Sequence, residues 1–170
     1  MDASQLLQVL VLLAVVGAAW ATDEAWRLRF DGLGPIRIGM TAPQAKEAAG
    51  GNIVEDTVPN DDCYYLRGAK SLNGISLMVI GGTVARVEVD TMAVASVSGA
   101  HVGTTEKQLK ALYGPRLKVE PHKYLEEKGH YLTLRSTDGR RGIRFETENG
   151  RVFRFYAGPW THLRYVEGCM

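Results

Sequence analysis

The residues whose types could carry chemistry are four histidines, a few closely spaced glutamates and two cysteines. His101, His122, His130 and His162 are scattered, and none lies four residues from another as a helical metal pair would. A metal site could be drawn from His122, His130 and Glu126, but we read these as ordinary surface-loop histidines and expect no metal. Glu126, Glu127, Glu146 and Glu148 could supply the paired carboxylates of glycoside hydrolysis. Glu146 and Glu148 are two apart on an alternating segment, hence on one outward face about 7 Å apart. Interleaved with Arg144, they read as a solvated salt-bridge ladder. Cys63 and Cys169 lack C-x-x-C spacing, so zinc is not expected, and in an oxidising compartment a lone pair most simply forms one disulfide. A bonded pair leaves no thiolate for Cys–His catalysis. No G-x-S-x-G, H-E-x-x-H, Walker or Rossmann motif occurs, and Pro121–Tyr124 matches no motif. The expectation is a non-enzymatic protein with no catalytic residues and no cofactor.

The elements that would position side chains are written twice. Residues 36–51, IRIGMTAPQAKEAAGG, and 100–115, AHVGTTEKQLKALYGP, align without gaps when Gly39 is placed on Gly103. Thr41 and Thr105 then fall at N-caps, with Gln44 and Gln108 completing capping boxes. Ala45, Ala48, Ala49 and Leu109, Leu112, Tyr113 form apolar stripes, and Gly50 and Gly114 stop the helices. Helices this short need a surface to pack on.

That surface is predicted after each helix by three alternating segments, CYYLRGA, GISLMVI and TVARVEVD, then HYLTLRS, GIRFETE and RVFRFYAG. Gly81-Gly82 and Asn149-Gly150 are tight-hairpin pairs. The expected fold class is α+β: two tandem repeats of a short helix plus a three-stranded antiparallel meander, with the helices on one face of a shared or adjoining sheet. Repeat 1 spans residues 33–96 and repeat 2 residues 97–158, after a lead-in at 22–32 and before a tail at 159–170. Leu66, Ile75, Leu77, Val79, Ala85, Val87, Val89, Leu132, Leu134, Ile143, Phe145, Phe153 and Phe155 are the expected core. Alternation sends Tyr65, Arg67, Met78, Arg86, Tyr131, Arg135, Arg144, Arg154 and Tyr156 to the uncovered face.

The RIGMT turn into a short helix followed by a meander resembles the repeat unit of the β-lactamase inhibitory protein and of BamE/SmpA lipoproteins. The tandem arrangement over residues 33–158 is similar to the former. The resemblance implies a curved sheet that binds a protein. In its cysteines the chain departs from both: it has one pair, where the inhibitor has a disulfide in each repeat, and none at the mature N-terminus, where BamE-type proteins are lipidated.

Residues 1–21 contain an apolar run from Val9 to Ala19 and end in Ala-Trp-Ala, which reads as a signal peptide cleaved after Ala21. An uncleaved anchor is the alternative; the run is short for a bilayer span. Periplasmic or secreted localisation follows, with no stable membrane span after cleavage. Residues 23–96 carry 7 Lys+Arg against 10 Asp+Glu, and residues 97–170 carry 13 against 8. The basic second half suits an extracytoplasmic partner protein with an acidic surface; export and near-neutral overall charge argue against nucleic acid. Tyr and Arg are typical of energetic hot spots. The expected binding face therefore comprises Tyr65, Arg67, Arg86, Tyr131, Arg135, Arg144, Arg154 and Tyr156, used as an inhibitor or an envelope scaffold. The alternative occupant is a small anionic ligand or polysaccharide held by Arg135, Arg144, Arg154 and Tyr156. The tail is expected to cap the sheet edge, fastened by Cys169; extension of the sheet is the alternative.

Overall fold

The two longer helices each begin where a threonine and a glutamine exchange hydrogen bonds. The structure, a computed structural model, describes residues 26–56 and 62–169. The expected signal peptide at 1–21 and the start of the lead-in lie outside the described residues. The Thr41 N–H donates to Gln44 Oε1 (2.9 Å) and the Gln44 N–H to Thr41 Oγ1 (3.4 Å), opening helix α1, Ala42–Ala48. Thr105 and Gln108 repeat the exchange at 2.8 and 3.2 Å for α2, Glu106–Tyr113. Capping satisfies backbone donors that the first helical turn leaves orphaned. α1 buries Ala42 and Ala45, whereas α2 buries only Leu109. Leu112, expected on the apolar stripe, is 48% exposed.

The α+β class does not hold, because the structure is mostly β, with only two helices of seven or more residues among the described residues. A small sheet forms from β1 (Arg27–Arg29), β2 (Gly32–Leu33), β3 (Ile36–Arg37) and β8 (Ala95–Ser96). Each half then gives four strands, not three, to one eight-stranded sheet. The first half supplies β4 (Ile53–Glu55), β5 (Cys63–Gly68), β6 (Ile75–Ile80) and β7 (Thr83–Val89). The second supplies β9 (Leu117–His122), β10 (Glu126–Arg135), β11 (Arg141–Glu148) and β12 (Arg151–Pro159). Their order is β4-β5-β6-β7-β12-β11-β10-β9, so the halves meet where β7 pairs with β12. The unexpected strands β4 and β9 are the two edges. β9 carries Pro121, which an edge strand tolerates because its missing N–H need pair with nothing.

The repeated Gly-Met-Thr and Gly-Thr-Thr motifs have a structural task beyond capping. The Gly39 N–H donates to the Val84 carbonyl and the Val84 N–H to the Met40 carbonyl, both at 2.8 Å. Gly103, Val152 and Thr104 make the same pair of bonds at 2.8 and 2.9 Å. Gly39 and Gly103 take φ of 91° and 93°, a region that side chains disfavour. Beside each docking point the hairpin is bulged: β6–β7 pairing passes from Met78↔Arg86 to Val79↔Val84, and β11–β12 pairing from Glu146↔Arg154 to Thr147↔Val152. Ala85 and Phe153 are the extra residues.

A bulge breaks the two-residue alternation. Val84 and Val152 therefore enter the core, while Phe153, expected there, is 37% exposed and Ala85 is buried outside the main apolar cluster. The other expected core residues lie in that cluster, together with Leu28, Leu33 and Ile36 of the small sheet and the helical Ala45 and Leu109. Phe145 stacks on Phe155 at 5.6 Å between ring centroids.

Candidate functional site

The second face of the large sheet collects most of the expected site residues but does not leave them open. After β12 the chain forms a single-turn helix α3 (Trp160–Leu163) and continues to Cys169. Cys169 is bonded to Cys63 on β5, with a Cα–Cα distance of 5.4 Å and 106 residues between them. The pairing is the one expected. The path is not, because the tail crosses the sheet face instead of capping an edge.

Several contacts seat it. Arg86 Nη1 donates to the main-chain carbonyls of Tyr165 (2.7 Å) and His162 (3.4 Å). The Arg135 guanidinium stacks on Trp160 at 4.4 Å. Leu163 is fully buried over Gly142, where any β-carbon would collide with Leu163 Cδ2. Glu167 accepts from Lys123 Nζ (2.5 Å) and from the Tyr124 hydroxyl. In a flat sheet β5 and β10 would lie about 24 Å apart. Glu167 reaches the β9–β10 connection while Cys169, two residues on, is bonded to β5, so the sheet curls around the tail.

Beneath the tail is a paired charge network. Arg86 donates to Glu88 Oε1 through Nε (2.8 Å) and Nη2 (2.5 Å), and the Tyr65 hydroxyl donates to the same oxygen (3.0 Å). The Arg86 and Glu88 side chains are 3% and 7% exposed. Glu146, 3% exposed, accepts from Tyr156 Oη and Arg154 Nη2, each at 2.8 Å, with His122 Nε2 at 3.4 Å. Arg154 also reaches Glu88 at 3.8 Å, joining the two clusters. Arg144 Nε donates to Thr133 Oγ1 at 3.0 Å and its guanidinium lies over Tyr131 at 4.7 Å. Buried charges persist only when paired in this way. Burial, then the Glu146 charge, pushes the Tyr156 phenol far up, so it stays a donor. Burial and the Glu88 charge push Tyr65 up likewise.

Arg86, Tyr131, Arg144 and Tyr156 are thus buried; Arg67 and Arg135 are exposed. Arg67 pairs with Asp56 and donates to Ser76 Oγ. Glu146 is not part of a solvated ladder, whereas Glu148 is exposed. Glu88, unassigned from sequence, anchors half the network; its signal was the Arg-x-Glu spacing, which puts both charges on one strand face. His130 goes to a different carboxylate, Glu106, at 2.8 Å, which also accepts from Thr147 Oγ1 at 2.7 Å. Burial alone would raise the Glu106 carboxyl, but those two hydrogen bonds and the nearby His130 and Lys110 charges hold it below its usual value. This cluster ties α2 to the sheet. Among the described residues no three His, Cys, Asp or Glu side chains gather as a metal site.

What stays accessible is the margin of this face. Tyr124 (55% exposed) and Phe153 (37%) flank the His122 ring, and Arg154, with 36% of its side chain exposed, lies beside Phe153. The internal duplication supplies a control. The bulge occurs in both halves, but the position of Phe153 is held by a buried Ala85 in the first.

No family model matches the chain, and no curated protein does. Among solved structures it is similar to YjgB of Bacillus subtilis, a DUF4309 family protein, with a TM-score of 0.52 and 13% identity over 82% of this chain and 92% of that one. That likeness concerns the fold alone. The chain also matches the uncharacterized protein yfeY of Escherichia coli, with a TM-score of 0.46 and 15% identity over 78% of this chain and 99% of that one. Among the described residues no helix is long and apolar enough to cross a membrane.

Proposed function

We propose that this chain is a non-enzymatic, exported protein-binding module that engages an extracytoplasmic partner through the Tyr124–Phe153–Arg154 margin. The observation that supports it is the solvent-facing Phe153, delivered outward by a bulge whose counterpart in the other repeat carries a buried alanine. Exposed aromatics beside an arginine have the composition of interface hot spots. The disulfide suits an oxidising compartment, so the reading is periplasmic or secreted. The basic second half favours an acidic partner. Inhibition of an envelope enzyme or scaffolding, as the resemblance implies, is the form we propose.

The test is capture from a periplasmic or secreted extract with the wild-type chain and with a Tyr124→Ala/Phe153→Ala variant. Because both side chains are substantially exposed, the variant should unfold within about 1 kcal/mol of wild type. Partner recovery should fall at least tenfold. Equal recovery by a folded variant contradicts the reading.

A further inference from the structure

We propose that the tail from Trp160 to Cys169 is a detachable occupant of the Arg86–Tyr65 face, latched by Cys63–Cys169, and that opening the latch makes this face a receptor for an extended peptide of similar chemistry. The tail is held as a bound peptide would be. Arg86 recognises main-chain carbonyls, Leu163 fills a slot left by Gly142, Trp160 lies under Arg135, and Glu167 meets Lys123 and Tyr124. Beyond α3 it joins no strand of either sheet. The seat is also imperfect. His162 Nδ1, in the tail, is buried without a hydrogen-bond partner among the described residues. An unsatisfied buried donor or acceptor weakens the contact that buries it. A segment without that unsatisfied group could compete with the tail.

Opening is a thiol–disulfide exchange. A dithiol reductant attacks one sulfur of the Cys63–Cys169 bond, a mixed disulfide forms, and the second reductant thiol resolves it. Both cysteines leave as thiols while the reductant becomes a disulfide, so two electrons and two protons pass to the chain. Neither cysteine is fully buried, which gives the reductant access.

The inference does not rest on the function proposed above, and its test uses no natural partner. The full chain is compared oxidised and reduced with dithiothreitol, using trypsin cleavage at the exposed Arg164 and binding of a labelled synthetic peptide, PWTHLRYVEG, copied from residues 159–168. Reduction should speed cleavage at Arg164 at least tenfold while cleavage within residues 26–158 stays slow. The peptide should bind the reduced chain at least tenfold more tightly than the oxidised one, and replacing its Trp and Leu by Ala should abolish the difference. Unchanged cleavage at Arg164 overturns the latch. Faster cleavage without peptide binding overturns the receptor. General digestion on reduction shows that the bond staples the whole fold, which also overturns the proposal. Any of these outcomes leaves the Tyr124–Phe153 reading to its own experiment.

Discussion

Replacing Glu146 by alanine should cost about 3 kcal/mol of unfolding free energy, whereas replacing Glu148, two residues along the same strand, should cost less than about 0.5 kcal/mol. The contrast follows from what each carboxylate touches. Glu146 accepts from Tyr156 and Arg154 at 2.8 Å and is 3% exposed. Its removal leaves the buried Tyr156 hydroxyl without this acceptor and Arg154 with Glu88 alone, at 3.8 Å. Removing one member of a buried ion pair typically costs about 3–5 kcal/mol, because the other charge stays behind uncompensated. Arg154 keeps 36% of its side chain in solvent, so water makes up part of the loss and the expectation sits at the lower end of that range. Urea unfolding of the two variants at neutral pH measures the difference.

The second large effect is expected from the disulfide. Its loop spans 106 residues, for which the loss of denatured-chain entropy corresponds to about 4 to 5 kcal/mol at most, and measured disulfides mostly give about 2–4. Replacing both cysteines by serine should therefore lower stability by about 2–4 kcal/mol and leave the chain folded. The core lies on the opposite face of the sheet, between its strands, the helices and the small sheet, and includes no residue of the tail. A loss below about 1 kcal/mol would mean that the bond constrains neither the unfolded chain nor the tail. The unfolding midpoint in urea, with the slope compared to exclude a changed denatured state, gives the number.

Local signals carried much of the fold. The Thr41–Gln44 and Thr105–Gln108 caps are where their sequence pattern places them, and so are the tight turns at Gly81-Gly82 and Asn149-Gly150, all four of which take positive φ. The cysteine pair was legible because there were only two. What escaped was long-range. Strict alternation puts Phe153 in the core; the bulge that turns it out exists because Val152 must pair with the Gly103–Thr104 segment almost fifty residues earlier. β9 reads as a loop, with Pro121 among charged neighbours, and becomes a strand only as the outer edge beside β10.

The candidate site failed in a more instructive way. Tyr65, Arg86, Arg144, Arg154 and Tyr156 do share a face, as the two-residue period requires, but that face also holds the acids Glu88 and Glu146, which let its arginines be buried. Glu88 lies two residues from Arg86, and Glu146 is directly opposite Arg154 in register. Charges matched across strands in this way can be buried without stranding either sign. What then covers them is decided by the tail, which crosses the face where edge capping was expected. The exposed aromatics left for recognition come from a bulge and a hairpin, two features that alternation does not reveal.

The tail crosses this face, with Tyr156 and Tyr131 buried beneath and beside it and Tyr124 and Phe153 left in water at the margin. Hydroxyl-radical footprinting of the oxidised full chain tests it residue by residue. Tyr156, Tyr131 and Leu163, at 1%, 5% and 0% exposure, should be protected, while Tyr124 and Phe153 should be modified readily. Modification of Tyr156 and Tyr131 as fast as that of Tyr124 would contradict the account.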